Sequence, residues 1–229
     1  MNRVLSPHLQ ILPPAQRRLW PELKALRELG FVLYGGTAIG LRLGHRPSVD
    51  FDFFSDVPLD RPALSAALPW LAGATALQEE PNALTVNVPS RDPGESPVKL
   101  SLFGTIGFGR VGDPALTDDG VLQIASLDDL MATKVKVVLQ RAEARDYRDI
   151  AAMIAAGVSL SQGLASARLM FGPSFQPSAS LKALVYFDDG DLSTLNAADR
   201  TALIQAASSV RELPQVALLS RSLACTGAG

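Results

Sequence analysis

Acidic and aromatic residues alternate in the segment VDFDFF, residues 49–54, and this pattern constrains the fold more than any other feature of the chain. Side chains of a β-strand point alternately to its two faces. A strand here would place Val49, Phe51 and Phe53 on a core face, and Asp50 and Asp52 together on the other face. We therefore expect a central, half-buried strand that presents two carboxylates side by side.

Two adjacent carboxylates repel each other unless a cation lies between them. Mg²⁺ is commonly held by one or two carboxylates and completes its shell with phosphate oxygens and water. The alternative is a solvated edge strand with two surface aspartates, which the flanking phenylalanines disfavour. The pattern predicts that Asp50 and Asp52 bind Mg²⁺ or Mn²⁺.

A glycine pair, Gly35 and Gly36, separates a short predicted strand at residues 31–34 from a short predicted helix at residues 37–43. We expect Thr37 to be the N-cap of this helix. Glycines allow close approach of the backbone to a ligand, and a helix N-terminus favours phosphate. The other interpretation of the pair is an ordinary tight turn.

Cations follow in the link between this helix and the acidic strand. His45 and Arg46 either reach triphosphate oxygens or are exposed loop residues, and the same alternatives apply to Arg42.

Lys134 interrupts an apolar stripe on a predicted helix over residues 126–142, whose start at Ser126 resembles a capping box. A lysine on a buried face needs a counter-ion, because burying its charge alone is costly. Asp146 and Asp149 share a face of the next predicted helix, over residues 147–156. Either Lys134 forms an internal ion pair with one of them, or it binds phosphate and an aspartate orients it.

Periodicity along the rest of the chain predicts an α+β fold. Further helices are expected over residues 15–29 and 62–77, with three more within 159–213. Further strands are expected over residues 84–88, 98–103 and 121–125. We therefore predict a mixed β-sheet with flanking helices in residues 1–125, followed by a helical C-terminal region in residues 126–229.

Composition excludes some functions for the 229 residues. A net charge of −2 and a pI near 5.7 exclude a global basic surface for nucleic acid. Cys225 is the single cysteine, which excludes a disulfide framework and a CxxC metal site. The N-terminal segment lacks a signal pattern and no stretch is apolar enough to span a membrane, so we expect a cytoplasmic protein.

These motifs together resemble a known family. The pattern GGTA…RPSVDFDFF from Gly35, followed by LMATK ending at Lys134 and RDYRD ending at Asp149, is similar to AbiEii/AbiGii-type nucleotidyltransferases over roughly residues 15–160. These are the toxin-like branch of the DNA polymerase β superfamily. The resemblance implies the nucleotidyltransferase fold and transfer of a nucleotide from a nucleoside triphosphate (NTP) to an acceptor. In some members the acceptor is the 3′ end of tRNA, and an antitoxin neutralises some members.

The resemblance also implies roles for individual residues. Asp50 and Asp52 would hold the metal, and Asp146 or Asp149 would match a later aspartate of the family. The predicted nucleotide-binding residues are Gly35, Gly36, Thr37, Arg46, Ser48 and Lys134, the last on a helical domain that completes the nucleotide site.

One departure concerns a third carboxylate, which polymerase β-type enzymes commonly carry on a neighbouring strand. The candidate strand at residues 98–103 presents Lys99 and Ser101 there, and Glu95 lies before it. Two main hypotheses follow: a Mg²⁺-dependent nucleotidyltransferase acting on RNA or protein, or a catalytically decayed nucleotide-binding or interaction module of the same fold. A structural helical adaptor with an incidental aspartate pair is a third, weaker hypothesis.

Overall fold

The computed structural model of the chain describes residues 4–92 and 94–225. Residues 1–3, on which the prediction of no secretory signal partly rests, lie outside the described residues. Two compact units form, which we call the sheet unit (Met1–Gly109, Asp113–Ala125 and Ser220–Gly229) and the helical unit (Arg110–Gly112 and Ser126–Leu219). The assignment of residues 1–125 and 126–229 to two functional domains stays a prediction.

The strands of the described residues all lie in the sheet unit. They are β1 Val4–Leu5, β2 Val32–Tyr34, β3 Asp50–Phe54, β4 Thr75–Glu80, β5 Ala83–Val88, β6 Val98–Phe103, β7 Ala115–Thr117 and β8 Gln123–Ile124. Their order in one sheet is β1-β7-β8-β2-β3-β6-β5-β4. The pairs β1/β7, β2/β8 and β3/β6 are parallel and the other neighbours are antiparallel, so the predicted mixed sheet is confirmed.

The α-helices of the described residues are divided between the units. The sheet unit contains α1 Pro14–Leu19, α2 Lys24–Glu28, α3 Gly35–Leu43 and α4 Arg61–Ala67. The helical unit contains α5 Leu127–Val137, α6 Ala144–Ala155, α7 Leu160–Phe171, α8 Pro177–Ala183 and α9 Ala197–Ser209. The three helices predicted after residue 159 are confirmed. No helix in the described ranges has both the length and the apolar character needed to cross a membrane.

Strand β3 is central and half-buried, as its alternation predicts. Phe51 and Phe53 are fully buried, whereas Asp50 and Asp52 are half-buried on the other face. The prediction for Val49 was wrong, because this residue precedes the strand and is 58% exposed. The core face of β3 therefore consists of its aromatic side chains alone.

The helix predicted over residues 62–77 was wrong in its second half. Helix α4 ends at Ala67, a 3-10 turn covers Pro69–Gly73, and β4 follows as an exposed edge strand. Pro69 has no N–H for a helical hydrogen bond and disfavours helical backbone at the preceding Leu68, whose φ is −126°. Pairing with β5 then satisfies the backbone hydrogen-bonding groups of β4. Periodicity within one segment does not reveal this pairing.

Other boundaries also differ from the predictions. The helix expected over residues 15–29 is divided by a 3-10 segment, Trp20–Leu23, that contains Pro21. Helix α5 ends at Val137 instead of near residue 142, α6 begins three residues earlier than predicted, and β8 is shorter than residues 121–125. The very short strands β1 and β7 were not predicted.

Close packing of α5 against α7 forms the core of the helical unit. A Cβ on Gly163 of α7 would overlap the side chain of Met131 of α5, so only glycine allows this approach. Met131, Leu130 and Leu164 are fully buried at this level of the unit. The small residue sets the distance between the two helices.

Candidate functional site

The start of α3 packs directly against the carboxylate pair of the sheet unit. Strand β2 runs into α3 without a loop, and Tyr34 pairs with Asp52 in the antiparallel β2/β3 ladder. Gly35 has a φ of +74°, and a Cβ at this position would lie 2.6 Å from Asp52 Oδ2. Both its backbone conformation and the close approach require glycine. The predicted glycine turn and the predicted metal ligand are therefore in contact.

Thr37 and Ser48 form a buried pair of hydroxyl groups at the start of β3. The prediction that Thr37 is the N-cap was wrong, because Tyr34 occupies that position. Thr37 Oγ1 lies 2.7 Å from Ser48 Oγ and also hydrogen-bonds the carbonyl oxygen of Asp50. A carbonyl oxygen only accepts, so the Thr37 hydroxyl is the donor in its contact with Asp50. The two hydroxyls hold the start of β3, and phosphate contacts from either residue stay a prediction.

The strand β6 lies beside the carboxylate pair and carries no acid there. In the parallel β3/β6 ladder Asp50 is opposite Lys99 and Asp52 is opposite Ser101. Ser101 is 4% exposed and accepts a 3.3 Å hydrogen bond from Thr85 of β5. Within the described ranges, no group of three or more His, Cys, Asp or Glu side chains is suited to hold a metal. Binding of a cation by the Asp50–Asp52 pair stays a prediction.

Glu95 precedes β6 and could replace the third acid only by loop placement, but its carboxylate is engaged elsewhere. Its carboxylate pairs with Arg18 and accepts a 2.6 Å hydrogen bond from Ser90. These contacts give it a structural role in the loop before β6.

The arginines near the site have different surroundings. Arg42 donates from Nε to Ala125 O at 2.6 Å and from Nη2 to Ile124 O at 2.8 Å, so its guanidinium is anchored at the end of β8. The interpretation of Arg42 as a phosphate ligand is therefore disfavoured. Arg46 is half-buried and donates to Pro47 O at 3.0 Å, and its contact with a triphosphate stays a prediction.

In the helical unit, Lys134 forms a buried ion cluster with both candidate aspartates. Its Nζ lies 2.5 Å from Asp146 Oδ1 and 2.8 Å from Asp149 Oδ2, and both carboxylates are fully buried. Arg141 adds a 2.8 Å contact from Nε to Asp146 Oδ2. The predicted internal pair is confirmed, with both aspartates engaged. A contact of Lys134 with phosphate stays a prediction.

The charge state of Asp146 follows from this cluster. Burial alone would raise the pKa of its carboxyl group, but the hydrogen bond from Arg141 and the charge of Lys134 outweigh burial. The net result is a pKa below the ordinary aspartate value. Asp146 is therefore ionised near neutral pH and balances the buried ammonium of Lys134.

A second buried carboxylate of the helical unit, Asp129, was not predicted as a site residue. Ser126 caps α5 through the Asp129 amide at 3.1 Å, which confirms the predicted cap. The Asp129 carboxylate accepts hydrogen bonds from Ser126 Oγ at 2.6 Å, Val111 N at 2.8 Å and Gly112 N at 3.3 Å. Burial is the main cause of its raised pKa, against the lowering effect of these hydrogen bonds. Its role is to hold residues 111–112 against the start of α5.

A mixed sheet whose central strand carries paired carboxylates beside a glycine-led helix is the arrangement of the nucleotidyltransferase fold, which agrees with the predicted fold class. The family described as "Nucleotidyl transferase AbiEii toxin, Type IV TA system" matches residues 21–217. The chain belongs to this family of nucleotidyltransferase enzymes, and the predicted resemblance is confirmed.

The individual proteins that are similar to this chain share less than a third of its residues in the matched region. An uncharacterized protein of Aquifex aeolicus (strain VF5) is 29% identical over 122 residues, which cover 52% of this chain and 55% of that protein. The match thus spans about half the length of this relative. Among solved structures, MenT4, a nucleotidyltransferase toxin of Mycobacterium tuberculosis H37Rv, has a TM-score of 0.49 and 14% identity, with 82% of this chain and 86% of that chain covered. The antibiotic-resistance factor ANT(2″)-Ia has a TM-score of 0.45 and 13% identity, with 64% and 85% covered.

Proposed function

We propose that this protein transfers a nucleotide from an NTP to an acceptor hydroxyl, with Mg²⁺ or Mn²⁺ held by Asp50 and Asp52. The observation that carries the proposal is the contact of Gly35, at the start of α3, with one member of this half-buried pair. By its family, we further propose that it acts as a toxin restrained by an antitoxin. We expect it to act in the cytoplasm, where NTPs are supplied.

The donor set fits a small, hard cation. Mg²⁺ prefers oxygen ligands and usually takes one or two carboxylates, with the remaining positions filled by phosphate oxygens and water. Asp50 and Asp52 supply those carboxylates from adjacent positions on one strand face. When bound there, the cation neutralises triphosphate charge and stabilises the pyrophosphate that leaves.

The chain itself supplies the phosphate contacts at the start of α3. The first turn of a helix has backbone N–H groups without internal partners and a partial positive charge. Gly35 and Gly36 begin this turn and lack side chains that would block a phosphate. Thr37 and Ser48 hold the backbone of Asp50, so the carboxylates stay at a constant position relative to the turn.

In the reaction, the acceptor oxygen forms a bond to the α-phosphorus. The bond from that phosphorus to the oxygen of pyrophosphate breaks, and pyrophosphate leaves with the electron pair. Strand β6 offers no carboxylate to accept the hydroxyl proton, so we assign the proton to solvent. The acceptor is RNA, such as tRNA, or a protein side chain.

A second candidate is a nucleotide-binding module without turnover. The placement of Lys99 and Ser101 beside Asp50 and Asp52 favours it, because a lysine there disfavours a second cation. This candidate predicts tight NTP binding with no transfer.

Calorimetric titration of each NTP tests the binding site. With Mg²⁺, we expect the Asp50→Asn/Asp52→Asn double variant to lose at least about tenfold in affinity, because hard cations need charged oxygen ligands. Asp118→Asn is a matched control, since this exposed aspartate lies in the turn between β7 and β8. Equal affinity in the double variant and the wild type would show that the metal assignment is wrong.

Incubation of the wild type with each labelled NTP and either total tRNA or lysate protein tests the reaction. Label in RNA or protein that depends on Asp50 and Asp52 supports the enzyme. NTP binding without label transfer supports the binding module instead.

A further inference from the structure

Lys99 lies on the same sheet face as the carboxylate pair. Register partners in neighbouring strands point to the same face, and Lys99 of β6 is the partner of Asp50. Neighbouring strands are only about 4.8 Å apart, which brings the base of the lysine side chain close to Asp50. Lys99 is exposed, whereas Leu100 on the opposite face is fully buried.

The two flanks of the carboxylate pair differ. In the strand order β2-β3-β6, helix α3 begins on the β2 side, where Gly35 contacts Asp52. Lys99 lies on the β6 side. A triphosphate bound at the start of α3 occupies the β2 side of the pair, which we call the first flank. A second substrate that reacts with this triphosphate would then approach from the β6 side, which we call the second flank.

The second flank presents a positive charge and neutral polar groups. Asn87 of β5 is the register partner of Lys99, and Thr85 is the partner of Ser101. The Thr85 and Ser101 hydroxyls bond to each other, whereas Asn87 is half-buried and its amide has no hydrogen bond to a described side chain. Lys99 forms no ion pair with a described residue. The Lys99 ammonium and the Asn87 amide are therefore adjacent donors that have no acceptor among the described side chains.

We propose that Lys99, with Asn87, binds a phosphate group of the acceptor beside the hydroxyl that reacts. This inference rests on the proposed function and deepens it, because a phosphate requirement selects a nucleic-acid terminus over a protein side chain. A lysine ammonium binds phosphate as a point charge, and an amide N–H₂ adds a directional donor. Lys99, which stands where polymerase β-type enzymes commonly carry a third carboxylate, thus contributes to acceptor binding.

Two measurements on Lys99→Met test the inference. The first is the affinity for a 5′-fluorescent RNA with a free 3′ hydroxyl, followed by anisotropy at several salt concentrations with Mg²⁺ and NTP present. The second is the calorimetric affinity for the Mg²⁺–NTP complex. We expect RNA affinity to fall about tenfold and the salt slope to decrease by about one, with NTP affinity unchanged within about twofold. Lys99→Arg should retain most of the RNA affinity, and Asn87→Ala should lose part of it.

Lys24→Met is the matched control, because Lys24 is an exposed lysine of α2 in the same unit. Unchanged RNA affinity in Lys99→Met overturns the inference. An equal loss of NTP affinity also overturns it, because Lys99 would then contact the triphosphate and not a phosphate of the acceptor. Transfer of label to protein that is unaffected by Lys99→Met also overturns it. RNA binding that depends on Lys99 without any transfer by the wild type supports the subsite and refutes the proposed reaction.

Discussion

Gly35 and Asp52 are in direct contact, such that a Cβ on the glycine would lie 2.6 Å from Oδ2 of the aspartate. The first residue of α3 thus packs against the second carboxylate of β3, next to the β2/β3 ladder. This contact brings a helix N-terminus, which favours phosphate, beside a carboxylate that favours a cation.

Gly35→Ala should therefore impair the site more than the fold. The added methyl displaces the Asp52 carboxylate, and the φ of +74° adds strain of about 1–3 kcal/mol. We expect a lower melting temperature and a loss of Mg²⁺-dependent NTP affinity by about tenfold or more. Gly73→Ala is the control, since a Cβ there meets no atom within 4 Å. NTP binding at wild-type affinity in Gly35→Ala would contradict the assigned contact.

Thr37→Val should weaken metal binding by removing the hydroxyl that holds Asp50. The variant leaves the carbonyl of Asp50 without this donor, at a cost of about 1–3 kcal/mol in unfolding free energy. We expect Mn²⁺ affinity to fall, and Thr37→Ser to restore most of it because the hydroxyl returns. Urea unfolding and Mn²⁺ titration measure the two effects. The exposed Thr201 of α9 provides the control variant Thr201→Val, and an equal effect there would refute a specific role.

Lys134→Met should strongly destabilise the helical unit. The substitution leaves two buried carboxylates without their ammonium partner, which costs about 3–5 kcal/mol. Lys136→Met on the same helix removes only a contact 4.0 Å from the centroid of the Phe171 ring and should cost about 1 kcal/mol or less. Equal unfolding free energies of the two variants would contradict the buried cluster.

The same variant separates the two interpretations of Lys134. If Lys134 is purely structural, Lys134→Met leaves NTP affinity unchanged at temperatures below the unfolding transition of this variant. A lower NTP affinity in the folded variant would instead support the predicted phosphate contact.

Asp146 should contribute stability that is lost in acid. Its folded pKa is lowered, so the contribution is fully present above the unfolded aspartate pKa of about 3.9 and disappears as pH falls through the lower folded value. Removing the Arg141 hydrogen bond in Arg141→Met should move this loss to higher pH. Urea unfolding across acidic pH measures both curves. If wild type and Arg141→Met lost stability over the same acidic pH range, Arg141 would not lower the pKa of Asp146.

Asp129 should have the opposite pH dependence. Its folded pKa is raised, so the folded state binds the proton more tightly, and stability falls as pH rises from about 3.9 through the folded value. Asp129→Asn does not titrate, so the difference in unfolding free energy between wild type and this variant should change with pH across that window. A constant difference would contradict the raised pKa.

Much of the site was predicted from periodicity along short segments. The alternation in β3 determined that Asp50 and Asp52 share a face, because side-chain direction in a strand depends only on position along it. The spacing around Lys134 similarly indicated a buried lysine that requires a carboxylate. Local patterns of this kind are properties of a single element.

The tertiary structure decided which elements meet. Strand pairing placed Lys99 opposite Asp50, and it put residues 75–77, predicted as the end of a helix, into the edge strand β4. Packing brought the Thr37 hydroxyl, predicted as an N-cap, into a buried contact with the Asp50 carbonyl, and it brought Asp146 and Asp149 together at Lys134. These outcomes depend on backbone hydrogen bonds and side-chain contacts between residues distant in the chain. The sequence by itself determined the paired carboxylates, and long-range pairing and packing determined their neighbours.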